Sequence, residues 1–144
     1  MKSFTYYAEF EPGERRGITV SFPDVPEAIT QGDDKADALL QAREALGLAL
    51  LTYPERGMKL PRPRAKAPGL IPITVIPEDA AKLAVLDAFR NAGIGKSELA
   101  RRMGKDEKEV RRILDPKHNS KIGVLAEALE ALGQRLVVGV ENAA

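Results

Sequence analysis

Between Lys96 and Lys121 the chain carries nine basic residues (Lys96, Arg101, Arg102, Lys105, Lys108, Arg111, Arg112, Lys117, Lys121) against five acids (Glu98, Asp106, Glu107, Glu109, Asp115). That is an excess of four in a 144-residue chain whose formal net charge is only +1. Clustered cations suit the phosphates of a nucleic acid, because each contact displaces condensed counterions and the gain depends on local placement, not total charge. Lys108, Arg111 and Arg112 fall at spacings that share one face of a short helix, opposite Val110, Ile113 and Leu114. This helix, Asp106 to Leu114, is the one offered to a groove, with Lys105 and Glu107 as further base-edge candidates. Asp106 and Glu107 put acids at the end expected to meet the bases, where Glu107 could accept from a cytosine amine.

Other chemistry finds less to work with. Glu9, Glu11 and Asp24 are the carboxylates available for a divalent metal, but Glu9 lies on the strand face opposite Phe4, Tyr6 and Phe10, and spacing marks no further acid. They read as surface acids, and no catalytic activity is expected. His118 is the only histidine and there is no cysteine, so a Cys/His zinc site is excluded and no cofactor or metal is expected. His118 reads as packing in the turn after the basic helix or donating to a phosphate.

The elements needed to position these groups follow from periodicity. From Ala92 to Leu132, apolar residues recur at helical spacing in three runs: Leu99, Ala100 and Met103; Val110, Ile113 and Leu114; Val124, Leu125, Ala128, Leu129 and Leu132. Gly104 marks the first break, and Asp106 caps the middle helix with Glu109 at the capping-box position. Ser120 is expected to cap the last helix and Gly133 to end it. The spacing reads as a helix-turn-helix unit. Arg135 to Val140, RLVVGV, reads as a closing strand through Leu136, Val137, Val138 and Val140, pairing with another copy or with the strand at Ile73 to Ile76. Dimerisation fits a module that must span successive major-groove faces about 34 Å apart.

Prolines 61, 63 and 68 mark residues 55–69 as a linker or long loop. Before it, Phe4, Tyr6, Ala8 and Phe10 alternate with polar residues, and after a turn at Pro12, Gly13 and Gly17 a second strand places Ile18, Val20 and Phe22. Ala28 to Gln31 is a third strand. Asp33 or Asp34 caps a helix that runs to Tyr53, stopped by Pro54, with Ala36, Leu39, Leu40, Leu46, Ala49 and Leu50 as its core stripe. Leu70 to Ile76 is one more strand, and Glu78 to Ala92 a helix burying Leu83, Leu86 and Phe89. One face of the sheet is left for a partner, with Thr5, Tyr7 and Thr19 available for contact. The expected organisation is α+β: residues 1–69 as a sheet-and-helix domain, 70–77 as a connecting strand and 78–144 as an all-α domain with its closing strand.

Composition bounds the setting. MKSFTYYAEF has no apolar signal core, no run reaches membrane-span length, and the absence of cysteine fits a reducing compartment, so a cytoplasmic protein without a membrane partner is expected.

SELARRMG, VRRILDPKHNS and LAEALEALGQRLVV together resemble the Cro and repressor type of helix-turn-helix, in the version carried by HicB-family antitoxins. The N-terminal half is similar to the same family through SFPDVP, TQGDD and ADALLQAREAL, joined by IPITVIPEDAAKLAVLDAF, so the likeness spans nearly the whole chain. LDPKHNS is its most restrictive element; Glu27 and Ala28 depart from the Gly-Cys that the family often carries there. The resemblance implies a βββα(β) truncated ribonuclease H-like first domain that neutralises a HicA-type, mRNA-cleaving toxin, and a second domain that holds double-stranded operator DNA and autorepresses the operon as a homodimer or tetramer. It also implies phosphate-facing roles for Lys96, Ser97, Lys117, Asn119, Ser120 and Lys121. For the toxin, the acids of the first domain suggest Glu9, Glu11 and Asp24, with Tyr7 beside them. Rival readings from other classes are a regulator whose first domain senses a small molecule, and an interaction protein with a vestigial helix-turn-helix.

Overall fold

A computed structural model describes residues 1–143. Alternating residues build β1 (Thr5–Pro12), which turns through Gly13 and Gly17 into β2 (Ile18–Ser21) and then reaches β3 (Ile29–Gly32). The turn closes with the Gly13 amide donating to the Gly17 carbonyl, and Gly17 takes φ +83°, a left-handed conformation that a side chain would strain. After α1 (Lys35–Glu55), β4 (Ile71–Thr74) completes a four-stranded antiparallel sheet of order β3-β2-β1-β4. The strand expected at 70–77 is therefore a sheet strand beside β1, with Tyr6 opposite Ile73 and Ala8 opposite Ile71.

Asp34 caps α1 by accepting from the Asp37 amide at 2.8 Å. Pro54 lies within its last turn, so α1 runs to Glu55 and not only to Tyr53. Two of the expected core residues are corrected: Ala36 and Leu40 are exposed, and the buried stripe is Ala38, Ala42, Leu46, Ala49, Leu50 and Tyr53. The physical reason is close approach. A Cβ on Gly32 would stand 2.3 Å from the Ala38 nitrogen, so the start of α1 sits against β3 with small residues and turns Leu40 outward.

Four helices follow: α2 (Pro77–Ala92), α3 (Lys96–Met103), α4 (Glu107–Ile113) and α5 (Ile122–Ala131). Pro77 opens α2 with its φ already set for a helix, and Gly93 and Gly104 end α2 and α3 at φ +65° and +66°. Leu83 and Leu86 of α2 enter the sheet core with Phe4, Val20, Phe22 and Ile73. Ala81, Val85 and Ala88 of the same helix join Ile113, Leu125, Ala128 and Leu129. α2 thus belongs to both cores. Phe89, expected in the core, is half-buried against Leu99, Ala100 and Val110.

The closing strand is not formed within the chain. Residues 135–140 make no strand; Leu136 packs against the helical core, while Val137, Val138 and Val140 stay exposed. The alternative partner for this segment, β4 (Ile71–Thr74), pairs with β1 along one edge and is not joined by residues 135–140 along the other.

Candidate functional site

The basic segment is divided by its own acids. Glu98 on α3 accepts from Arg101 and Arg102 and is held down to about 2 by those bonds. Arg102 also donates to the Ala131 carbonyl at the end of α5. Lys105, a base-edge candidate from sequence, lies 4.0 Å from Glu109 and 3.6 Å from Glu127, so it ties the turn to α5. Lys96, Lys108, Arg111, Arg112, Lys117 and Lys121 remain exposed and, among the described residues, have no ion-pair partner.

Both acids at the start of α4 have intramolecular partners. Asp106 is the N-cap, accepting from the Glu109 amide at 2.8 Å. Ser97 Oγ donates to Glu107 Oε1 at 2.9 Å, which joins the first turn of α3 to the first turn of α4. Asp106 thus caps α4 as its position in the sequence predicts, while the fastening by Glu107 is a task that the sequence alone left unassigned.

The turn after α4 is built by Asp115, whose carboxylate accepts from the Lys117 amide and whose carbonyl accepts from the His118 amide. Lys117, His118 and Asn119 project to solvent from it. Contrary to the expectation from sequence, Ser120 does not cap α5. The N-cap is Lys121 without a side-chain bond, and Ser120 Oγ instead accepts from Lys82 Nζ at 3.0 Å and lies 3.2 Å from His118 Nδ1.

Lys82 is the residue that sequence reasoning missed. Only 4% exposed, it donates from α2 to the Ile113 carbonyl at 2.7 Å, the Arg112 carbonyl at 3.4 Å and Ser120. It therefore satisfies carbonyls left open at the end of α4 and fixes the following turn to the same helix. Burial pulls its pKa down to about 8, against the opposing charge of Asp115. The available signal was spacing: Lys82 falls in register with Val85, Leu86 and Phe89 on the apolar stripe of α2.

The second candidate surface is the sheet face away from α1. The register places Thr5, Tyr7, Glu9 and Glu11 of β1 beside Pro72 and Thr74 of β4, and beside Thr19 and Ser21 of β2, with Gln31 and the exposed Ile29 beyond. Glu9 is held above the usual carboxylate range by its hydrogen bond and repulsion with Glu11. Asp24 is separated from this face by its bonds: Oδ2 accepts from the Arg64 and Ala65 amides at 2.7 Å each. Among the described residues, no three His, Asp or Glu side chains converge as a metal site, and no helix is long and apolar enough to cross a membrane.

The proline-rich loop is fastened at several points. Tyr6, pushed up to about 12 by burial, donates to the Pro61 carbonyl, Asp24 holds residues 64 and 65, and Arg90 of α2 donates to the Gly57 carbonyl at 2.7 Å. At its start, Glu27 accepts from Tyr53 at 2.8 Å and lies 3.4 Å from Arg56.

Comparison with known proteins matches this sequence to a described family. Residues 5–84, the sheet, α1 and the first half of α2, match the model described as the HicB_like antitoxin of bacterial toxin-antitoxin system. Antitoxin HicB 1 of Photorhabdus laumondii is 38% identical over 143 residues, covering 98% of this chain and 90% of that protein. Antitoxin HicB of Escherichia coli K12 is 37% identical over 131 residues, with 91% and 95% covered, and antitoxin HicB of Pseudomonas fluorescens is 33% identical over 134 residues, with 92% and 90%. The chain belongs to the HicB-like antitoxin family of bacterial toxin–antitoxin systems.

Proposed function

We propose that this antitoxin neutralises a HicA-type RNA-cleaving toxin with its sheet unit and autorepresses its operon by holding operator DNA with its helical unit. Family membership supports a toxin partner. The DNA half is carried by one observation: Lys108, Arg111 and Arg112 of α4 are exposed and without ion-pair partners while Arg101, Arg102 and Lys105 beside them are paired. In this reading α3, the Gly104 turn and α4 form the helix-turn-helix, and α4 enters the major groove. Lys96, Ser97, Lys117, His118, Asn119 and Lys121 flank it as phosphate contacts, and Ser120 acts from beneath by holding the turn to Lys82.

Toxin contact falls to the open sheet face, through Tyr7, Glu9 and Glu11 with Thr5 and Thr19, in a ribonuclease H-like module. Asp24 serves that module by pinning the loop. Leu136, Val137, Val138 and Val140 supply the pairing of two copies. Val138 and Val140, 75% and 98% exposed, lose that exposure when a second chain pairs along them. Function rests on binding, with no cofactor.

Co-expression with the product of the neighbouring small reading frame, followed by copurification and growth rescue, tests the first half. A mobility shift of the upstream DNA by the purified complex tests the second. Failure of both copurification and rescue would overturn the antitoxin assignment to this neighbour; absence of any shift would remove the repressor role.

A further inference from the structure

From Arg56 to Leu70 the chain carries five cations, Arg56, Lys59, Arg62, Arg64 and Lys66, and no acid. Arg56 is paired with Glu27; the other four are exposed and have no ion-pair partner among the described residues. Their backbone is held: Gly57 by Arg90, Pro61 by Tyr6, and residues 64 and 65 by Asp24. A like-charged run repels itself and tends to move away from structure, so three separate anchors on its backbone, each from a different element, leave the side chains free and the chain in place. A ligand meeting this loop encounters cations whose backbone is already ordered.

The loop also has a position. Met58 and Leu60 line a groove of about 310 Å³ together with Pro54, Leu86, Phe89 and Arg90, and the other rim of that groove is Lys96 of α3 with Leu114 and Pro116 after α4. Lys59, between Met58 and Leu60, therefore lies on the side of the sheet unit next to the start of α3 and the turn that carries Lys117. Lys59, next to this groove, and Arg90 and Lys96, in its lining, bring cations of the two units to the same junction, where the one acid of the lining, Asp87, is paired with Lys2. Among anionic partners, an extended rod of regularly spaced phosphates is the one that can engage α4 and still reach the loop.

We infer that the loop from Lys59 to Lys66 is a second phosphate-contacting element, which grips duplex DNA flanking the segment read by α4. This rests on the assignment of α4 to operator DNA. It adds a contact made by the unit assigned to the toxin, so toxin seated near the loop would compete with flanking DNA or reinforce it.

The test uses the full chain and DNA from upstream of its own reading frame. Footprinting defines the protected core, and two duplexes are compared: the core alone, and the core lengthened by about ten base pairs, one helical turn, on each side. For the native chain the longer duplex is expected to bind more tightly and with a steeper dependence of log affinity on log salt. The variant Lys59→Gln, Arg62→Gln, Arg64→Gln, Lys66→Gln should bind the core unchanged, which also reports that it is folded, and should lose about three units of slope on the longer duplex. Lys59→Gln with Lys66→Gln should lose about half of that. Equal slopes for native chain and variant on the longer duplex would overturn the inference, as would loss of core affinity in the variant, or equal binding of double-stranded RNA through the same four residues. Arg111→Ala with Arg112→Ala separates the two ideas: retained core binding there refutes the role of α4, whatever the loop does.

Discussion

The sheet unit and the helical unit carry similar densities of charge, yet use it differently. In the first, Asp24 and Glu27 are engaged in holding a loop and a helix end, and Glu9 and Glu11 alone stand together on the open face. In the second, Glu98, Glu109 and Glu127 engage Arg101, Arg102 and Lys105, Glu107 holds Ser97, and the cations of α4 are left out. A surface suited to a partner is defined by which charges the fold has not already paired, more than by how many are present.

The largest effect on this contrast should come from collapsing one side of it. Gly32→Ala forces a Cβ against the backbone of Ala38, with no side chain available to move aside, and should cost about 3 kcal/mol in urea unfolding. An unchanged midpoint would mean that the junction of β3 and α1 yields, and that the sheet unit is less rigidly built than described.

Next in size, Arg111→Ala with Arg112→Ala should weaken operator binding about 100-fold at fixed salt, with the thermal midpoint unmoved because both side chains lie outside the cores. A fall in the midpoint of equal weight would assign these arginines to the fold.

Lys82 sharpens the comparison by pH. Its folded pKa, about 8, lies below the ordinary 10.5. Between those values the unfolded chain binds more protons, so this residue makes stability rise with pH across that window, while below pH 8 its burial carries a constant cost. The rise between pH 7 and pH 10 should be about 2 kcal/mol, and it should be missing from the stability curve of the Lys82→Met variant. A parallel pair of curves would mean that Lys82 is not titrating within the core.

The smallest effect belongs to the loop. Asp24→Ala leaves the amides of Arg64 and Ala65 without their acceptor, which should cost about 1 kcal/mol and admit trypsin after Lys59, Arg64 and Lys66. Unchanged resistance to cleavage would show that Tyr6 and Arg90 suffice to hold it.

Much of this architecture is legible in the residue pattern. Strand alternation placed β1 and β2, and glycine and aspartate signals placed the boundaries of α3 and α4, because local backbone chemistry decides those points. The start of the α1 stripe is not legible from helical spacing, because the tight approach at Gly32 places Ala38 against β3 and leaves Ala36 and Leu40 exposed. The exposed face of α4 was readable from helical phase. The occupation of Glu107 by Ser97 and of Ser120 by Lys82 was not, since both are contacts between elements with no fixed spacing in the chain. RLVVGV has the composition of a strand, yet it joins neither of the sheet's open edges, at β3 and β4.

The division of labour is tested most directly by scoring growth rescue and promoter repression in the same cells, with toxin and antitoxin expressed from their own operon and Arg111 and Arg112 changed to alanine. The account predicts full protection from the toxin together with loss of repression. Repression at the native level, or toxicity at normal antitoxin abundance, would contradict it.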